Sequence, residues 1–184
     1  MVSAGLDSVK QYFGFKNWPN DVIEYDLGGR MIDILGIPGH DAASIALYDR
    51  QTGILLTGDT VYPGRLYVRD APVFAASIRR LIEFTRGKPV THVLGCHIEQ
   101  TATPFLEFPI GSLYQPDEHR LELTRGTLLE MDEALQAMGA NVKRYALRDV
   151  TIYPNTPEGS TKQREVREKT ESYQRQHMWN QLEK

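Results

Sequence analysis

Gly53-Ile54-Leu55-Leu56-Thr57-Gly58-Asp59-Thr60 reads as a short apolar strand entered from a polar turn and left through a glycine and a carboxylate. The polar turn before it is Asp49-Arg50-Gln51-Thr52-Gly53, and a further extended run, Ser44-Ile45-Ala46-Leu47-Tyr48, precedes that. Further back, Val22-Ile23-Glu24-Tyr25-Asp26-Leu27 and Met31-Ile32-Asp33-Ile34-Leu35-Gly36 are rich in β-formers and flank Gly28-Gly29. Glycines tolerate positive φ, so this pair predicts a hairpin. Beyond Asp59 the period changes. From Pro72 to Phe84 the apolar residues Phe74, Ile78, Leu81 and Ile82 recur at helical spacing, and Gly87-Lys88-Pro89 ends the helix. Val90-Thr91-His92-Val93-Leu94 is then a short strand stopping at Gly95-Cys96-His97. Strands alternating with a helix predict an α/β layered domain.

The second half is read more coarsely. Thr101 to Pro116 carries Pro104, Pro109, Gly111 and Pro116 and is expected to be a long irregular loop, a feature more often functional than idle. Asp117 to Met138 predicts a second helix, with Leu121, Leu128, Leu129, Leu135 and Met138 on its apolar stripe and Gly139-Ala140-Asn141 closing it. Val142 to Tyr153 holds a last extended stretch, which completes a domain spanning 1–153. Residues 154–160, Pro154-Asn155-Thr156-Pro157-Glu158-Gly159-Ser160, read as a linker. The highly charged 161–184 segment reads as an exposed helix or tail docked through Trp179.

Composition narrows the classes. The 184 residues carry 21 Lys+Arg and 24 Asp+Glu, a net charge of −3, with 41 % hydrophobic residues. With a pI near 6.0 there is no global field for nucleic acid or an anionic membrane surface. No run of about 18 apolar residues is present to span a membrane. Met1-Val2-Ser3-Ala4-Gly5-Leu6-Asp7 lacks the basic and apolar blocks of a signal peptide. A single cysteine, Cys96, allows no internal disulfide and points to a reducing compartment, the cytoplasm.

Three segments place a metal-capable side chain after an apolar strand with a glycine beside it: Gly39-His40, Thr57-Gly58-Asp59 and Gly95-Cys96-His97. Strand ends in α/β folds line the crevice where ligands bind. Imidazole and carboxylate suit zinc and similar divalent ions, and separations of roughly 20 and 40 residues belong to a site assembled from separate loops rather than to a zinc finger. Each residue alone also has an ordinary role. A histidine at a strand end is commonly hydrogen-bonded or on the surface, and an aspartate after glycine commonly bonds its own turn. Cys96 reads as a small buried hydrophobe. Arg65, Tyr67 and Arg69 read as a solvated strand or as contacts for a polar substrate. Tyr62 is placed near the acidic turn, and Glu99 either orients His97 or faces solvent. Phe105, Phe108 and Tyr114 wall a pocket or cover the core.

Ile37-Pro38-Gly39-His40-Asp41-Ala42-Ala43-Ser44, then Gly53 to Thr60, then Leu94-Gly95-Cys96-His97, resembles the metallo-β-lactamase superfamily, over roughly Asp21 to Ala140. The resemblance covers the C-terminal half of that αββα sandwich and implies an α/β fold with a mixed sheet and flanking helices. It implies a hydrolase that uses metal-activated water on an ester, thioester, amide or phosphodiester. His40, Asp59 and His97 would be metal ligands, Asp59 bridging and catalytic, and zinc the metal. The family's H-x-H-x-D-H motif does not occur, and the first histidine is His40. The chain is therefore expected to be half of the fold. On that reading it is either an incomplete hydrolase or a non-catalytic α/β interaction module. A sheet face left uncovered would drive homo-oligomerisation.

Overall fold

The computed structural model describes residues 5–182, without the side chains of 157–160 and 178–182. The expected docking through Trp179 falls outside these. Helix α1 (Leu6–Phe13) precedes strands β1 (Val22–Asp26), β2 (Met31–Gly36), β3 (Ile45–Asp49), β4 (Ile54–Gly58) and β5 (Arg65–Val68). Helix α2 (Ala71–Phe84), β6 (His92–Gly95), β7 (Glu122–Leu123) and α3 (Arg125–Met138) come next. The chain then forms β8 (Tyr145–Ala146), β9 (Thr151–Pro154) and α4 (Pro157–Leu182). One six-stranded mixed sheet has the order β1-β2-β3-β4-β6-β7, and a three-stranded sheet has the order β5-β9-β8. The architecture is thus mixed α/β with flanking helices. No described helix is long and apolar enough to cross a membrane.

The hairpin forms as its glycines predict. β1 and β2 pair antiparallel, with Asp26 opposite Met31, and Gly28 and Gly29 turn the chain at φ of 86° and 94°. Strand pairing then sorts side chains into two faces. The register sets Tyr48 opposite Leu55, Leu55 opposite Val93 and Val93 opposite Leu123. All four are buried in one cluster with Phe74, Ile78 and Leu81 of α2 and with Leu128, Met131 and Leu135 of α3. Each such side chain contributes about 1.5–3 kcal/mol by leaving water. Leu66, Val68 and Ile152 bring the small sheet into the same core. On the other face, Ile34 lies opposite Leu47, Leu47 opposite Leu56 and Leu56 opposite Leu94. This row opens to solvent along its length: Ile34 is buried, Leu47 and Leu94 are half-buried, and Leu56 is 42 % exposed.

The structure corrects several sequence expectations. Helix α1 has no counterpart among the expected elements: its stripe of Leu6, Val9 and Phe13 is only eight residues long, and of these residues only Val9 is buried. The helix expected from Asp117 starts at Arg125. Glu122 and Leu123 instead pair with the free edge of β6, and Thr124 keeps an extended backbone at the N-cap. Leu129, expected on the apolar stripe, is exposed. The extended stretch 142–153 is two strands that build the second sheet. The linker at 154–160 shrinks to Asn155 and Thr156, because Pro154 ends β9 and α4 begins at Pro157. A proline at the first helical position loses no hydrogen bond and has its φ already set. The charged segment beyond is helical and mostly exposed, with Glu171 spaced to pair with Arg167 and Arg175.

Candidate functional site

β4 carries one residue more than β6 where they meet. Leu56 pairs with Leu94 but Gly58 pairs with Gly95, so Thr57 forms a bulge. A bulge twists the strand and re-aims the residues beyond it. Here it is held by the Thr57 hydroxyl, which donates to Val61 O at 2.7 Å, by Thr60 N–H donating to Thr57 O, and by Cys96 N–H donating to Gly58 O. Asp59 comes immediately after, so its carboxylate stands beyond the sheet end. A Cβ on Gly95 would collide with Val61 O and Tyr62 Cβ and lie 2.8 Å from Tyr62 Cα. Only a glycine lets the 61–62 stretch cross the end of β6 this closely, and that crossing brings His97 beside Asp59.

His40 arrives from a different loop. Gly39, at φ 129°, presses against the backbone of Phe74 at the start of α2. Gly39 O accepts from the N–H groups of Arg69 and Asp70, at 3.0 and 3.1 Å. The Nδ1 of His40 lies 2.8 Å from Tyr67 O. A carbonyl oxygen can only accept, so Nδ1 carries a proton and donates it, which turns Nε2 toward Asp59. That Nε2 sits 3.9 Å from Asp59 Oδ2, while His97 Nε2 lies 3.0 Å from Asp59 Oδ1. Residues read from three separate segments therefore converge, with one imidazole on each carboxylate oxygen. His40 is 17 % exposed, Asp59 45 % and His97 56 %, so the cluster is open.

The convergence is a partial donor set. Among the described residues no group of three or more His, Cys, Asp or Glu closes around a point that could hold an ion. A catalytic zinc takes three protein ligands. These three side chains offer one imidazole and a shared carboxylate to either side, so the residues present do not make a complete catalytic metal site.

Around the cluster the side chains differ from expectation. Arg65 is not on a solvated strand. It is 3 % exposed and pairs with Glu99 at 3.3 Å and Glu107 at 3.0 Å, while also donating to Phe108 O at 2.8 Å. Burial works against its charge, but Glu99, Tyr67 and Glu107 outweigh that and raise its pKa. Glu99 does not orient His97. Its Oε2 accepts from Arg65 N–H at 3.0 Å and stands 3.4 Å from the Tyr62 hydroxyl. Tyr62 is buried, donates to Arg65 O, and turns its ring edge-on to His97 with centroids 5.2 Å apart. Burial, then the Glu99 charge, pushes this phenol far above its usual range. The cysteine expected inside is exposed, its thiol pushed up by partial desolvation and by Asp59. Phe108 is buried, whereas Phe105 and Tyr114 face solvent, so the 101–116 loop covers the core more than it walls a pocket. No sequence signal marks Arg65 as buried, because its partners lie on a loop without periodic structure.

The sequence is similar to proteins of known family. A sequence model of the metallo-β-lactamase superfamily matches residues 6–137. The acyl-coenzyme A thioesterase MBLAC2 of Gallus gallus is 36 % identical over 81 residues, 42 % of this chain and 28 % of that protein. The Homo sapiens protein of the same name is 38 % identical over 82 residues, with the same coverage. The matched segment thus spans about a quarter of the curated relatives' length. Among solved structures, a metallo-β-lactamase from Pontibacter korlensis aligns at TM-score 0.41 and 17 % identity, covering 64 % of this chain and 46 % of that one. An archaeal metallo-β-lactamase superfamily protein from Sulfolobus tokodaii aligns at TM-score 0.41 and 14 % identity, covering 86 % and 52 %.

Proposed function

Because the chain belongs to the metallo-β-lactamase superfamily, we propose that it serves a hydrolase acting on an acyl thioester, with His40, Asp59 and His97 as its share of a metal centre. The observation that carries this reading is the Asp59 carboxylate with an imidazole Nε2 facing each oxygen. A carboxylate so flanked is suited to bridging two ions. Asp59 is accordingly assigned both the metal-binding and the catalytic role. Zinc is the metal that suits imidazole and carboxylate together. The further ligands each ion needs come from outside these three residues. The thioester is favoured by the names of the curated relatives, and an exposed reduced Cys96 is in keeping with a cytoplasmic setting.

The test is metal analysis of the purified chain together with thiol release from acyl-coenzyme A. Stoichiometric zinc, lost in His97→Ala along with most of the thiol release, is the expected result. No zinc and no thiol release would overturn the reading. The open donor set would then favour a non-catalytic α/β interaction module.

The row Leu47, Leu56 and Leu94 is assigned to a contact with a second copy of the chain, since a half-open apolar row on a sheet gains most by leaving water. Light scattering is expected to show a dimer that Leu56→Glu converts to a monomer. A wild-type monomer at the same concentration would sink this assignment.

A further inference from the structure

His40 lines three cavities, and two of them have opposite chemistries. The first, of about 390 Å³, lies between β5 and the start of α4 and is lined by His40, Tyr67, Arg69, Gln163, Arg164 and Arg167 among others. Among the described residues three guanidiniums line it and no carboxylate does. Arg69 shares its charge with Asp41 at 2.9 Å and Arg167 with Glu171 at 3.9 Å, while Arg164 has no ion-pair partner among the described residues. The Nε2 of Gln163 is buried in the wall without an acceptor among the described residues. An orphaned donor beside clustered cations is a costly arrangement unless an anion supplies the missing oxygen. α4 is held in place over this cavity. A Cβ on Gly111 would lie 2.8 Å from Arg167 O, and Gln174 Oε1 accepts from Leu113 N–H.

The second cavity, of about 700 Å³, also has His40 in its wall. Leu6, Trp18, Pro38, Val73 and Ala76 give it a mainly apolar wall. Arg69 lines both cavities. A ligand spanning the two would be anionic at one end, apolar at the other, and would place its middle beside His40.

We infer that the basic cavity binds the phosphate-bearing thiol portion of the substrate and the apolar cavity binds its acyl chain, with the thioester between them at His40. This rests on the thioester reading and assigns its two ends. Planar guanidiniums bind phosphate oxygens in a fork that a single lysine cannot reproduce. α4 thereby acquires a role, since Arg164 and Arg167 lie on one helix face three residues apart.

Calorimetric binding tests this without any turnover, using coenzyme A, its S-octyl thioether and S-octyl-pantetheine, which lacks the nucleotide phosphates. Arg164→Gln/Arg167→Gln changes two exposed helix positions and is expected to weaken coenzyme A and S-octyl-coenzyme A about tenfold or more, leaving S-octyl-pantetheine unchanged. Ala76→Trp is expected to weaken both octyl ligands and spare coenzyme A. Absence of coenzyme A binding by the wild type, or an affinity within twofold after the arginine substitutions, overturns the basic subsite. Unchanged octyl affinity in Ala76→Trp, or equal weakening of coenzyme A, overturns the apolar one. Thioethers cannot be hydrolysed. A chain that binds them in this pattern but releases no thiol from acyl-coenzyme A would sink the hydrolase reading and leave the subsites standing.

Discussion

Arg65→Ala lowers the unfolding free energy by about 3–5 kcal/mol, the range for removing one member of a buried ion cluster. Two carboxylates, Glu99 and Glu107, then lose the guanidinium that faces both of them, at side-chain exposures of 20 % and 10 %. Glu107 keeps Arg144 at 3.0 Å, but Glu99 is left without a cation, and burying a charge without a partner costs far more than the intact pair contributes. The damage is not confined to stability. Glu99 N–H donates to Pro63 O at 2.7 Å and Phe108 N–H to Glu99 O at 2.9 Å. Glu99 therefore ties the segment after His97 both to the approach to β5 and to the 101–116 loop. Urea unfolding measures the loss, with the midpoint falling and the slope unchanged. Arg65→Met combined with Glu99→Gln and Glu107→Gln removes the three buried charges, leaves only the exposed Arg144 of the cluster, and is expected to recover much of the stability. A loss below about 1 kcal/mol in Arg65→Ala would show that water reaches the carboxylates, since exposed pairs contribute no more than that.

Gly39→Ala is expected to cost about 3 kcal/mol or more, because backbone strain and overpacking act together. At φ 129° an L side chain is strained, and its Cβ would lie 2.6 Å from Phe74 N and 2.7 Å from Phe74 Cβ. Backbone atoms at the start of α2 cannot rotate away as a flexible side chain would. Relief requires moving the helix or the 39–40 turn, and the turn carries His40. Gly28→Ala is the control. Its φ of 86° is also positive, yet a Cβ there meets nothing within 4 Å. Only the conformational penalty, about 1 kcal/mol, applies there. Thermal denaturation of the two variants should separate them clearly, and equal destabilisation would mean that the contact with α2 yields.

How much of this chain is legible from residues alone depends on how local each signal is. The β1–β2 hairpin, the strands around Asp59 and the helix ending near Phe84 rest on alternation, 3.6-residue spacing and glycine turns, all contained within a few residues. The three candidate ligands are legible for the same reason, as metal-capable side chains beside glycines at strand ends. Their meeting at 3.0 and 3.9 Å is not. It depends on the Thr57 bulge, on the contact of Gly95 with Tyr62, and on Gly39 against α2. β7 hides inside an apparently continuous helical pattern, because its pairing with β6 outcompetes that pattern. Arg65 looks solvated on its strand because a cation's burial depends on carboxylates brought from far along the chain.

Residue chemistry and short-range periodicity are therefore enough to read most element types and to single out His40, Asp59 and His97 as candidate ligands, while the motifs around them carry the resemblance that the family match bears out. Three further properties exist only once the chain is packed. Arg65 becomes a buried anchor, the donor set stays open, and a basic and an apolar cavity meet at His40. Each is a set of distances between residues remote in the chain, governed by packing and the desolvation of charge, and no local pattern encodes it.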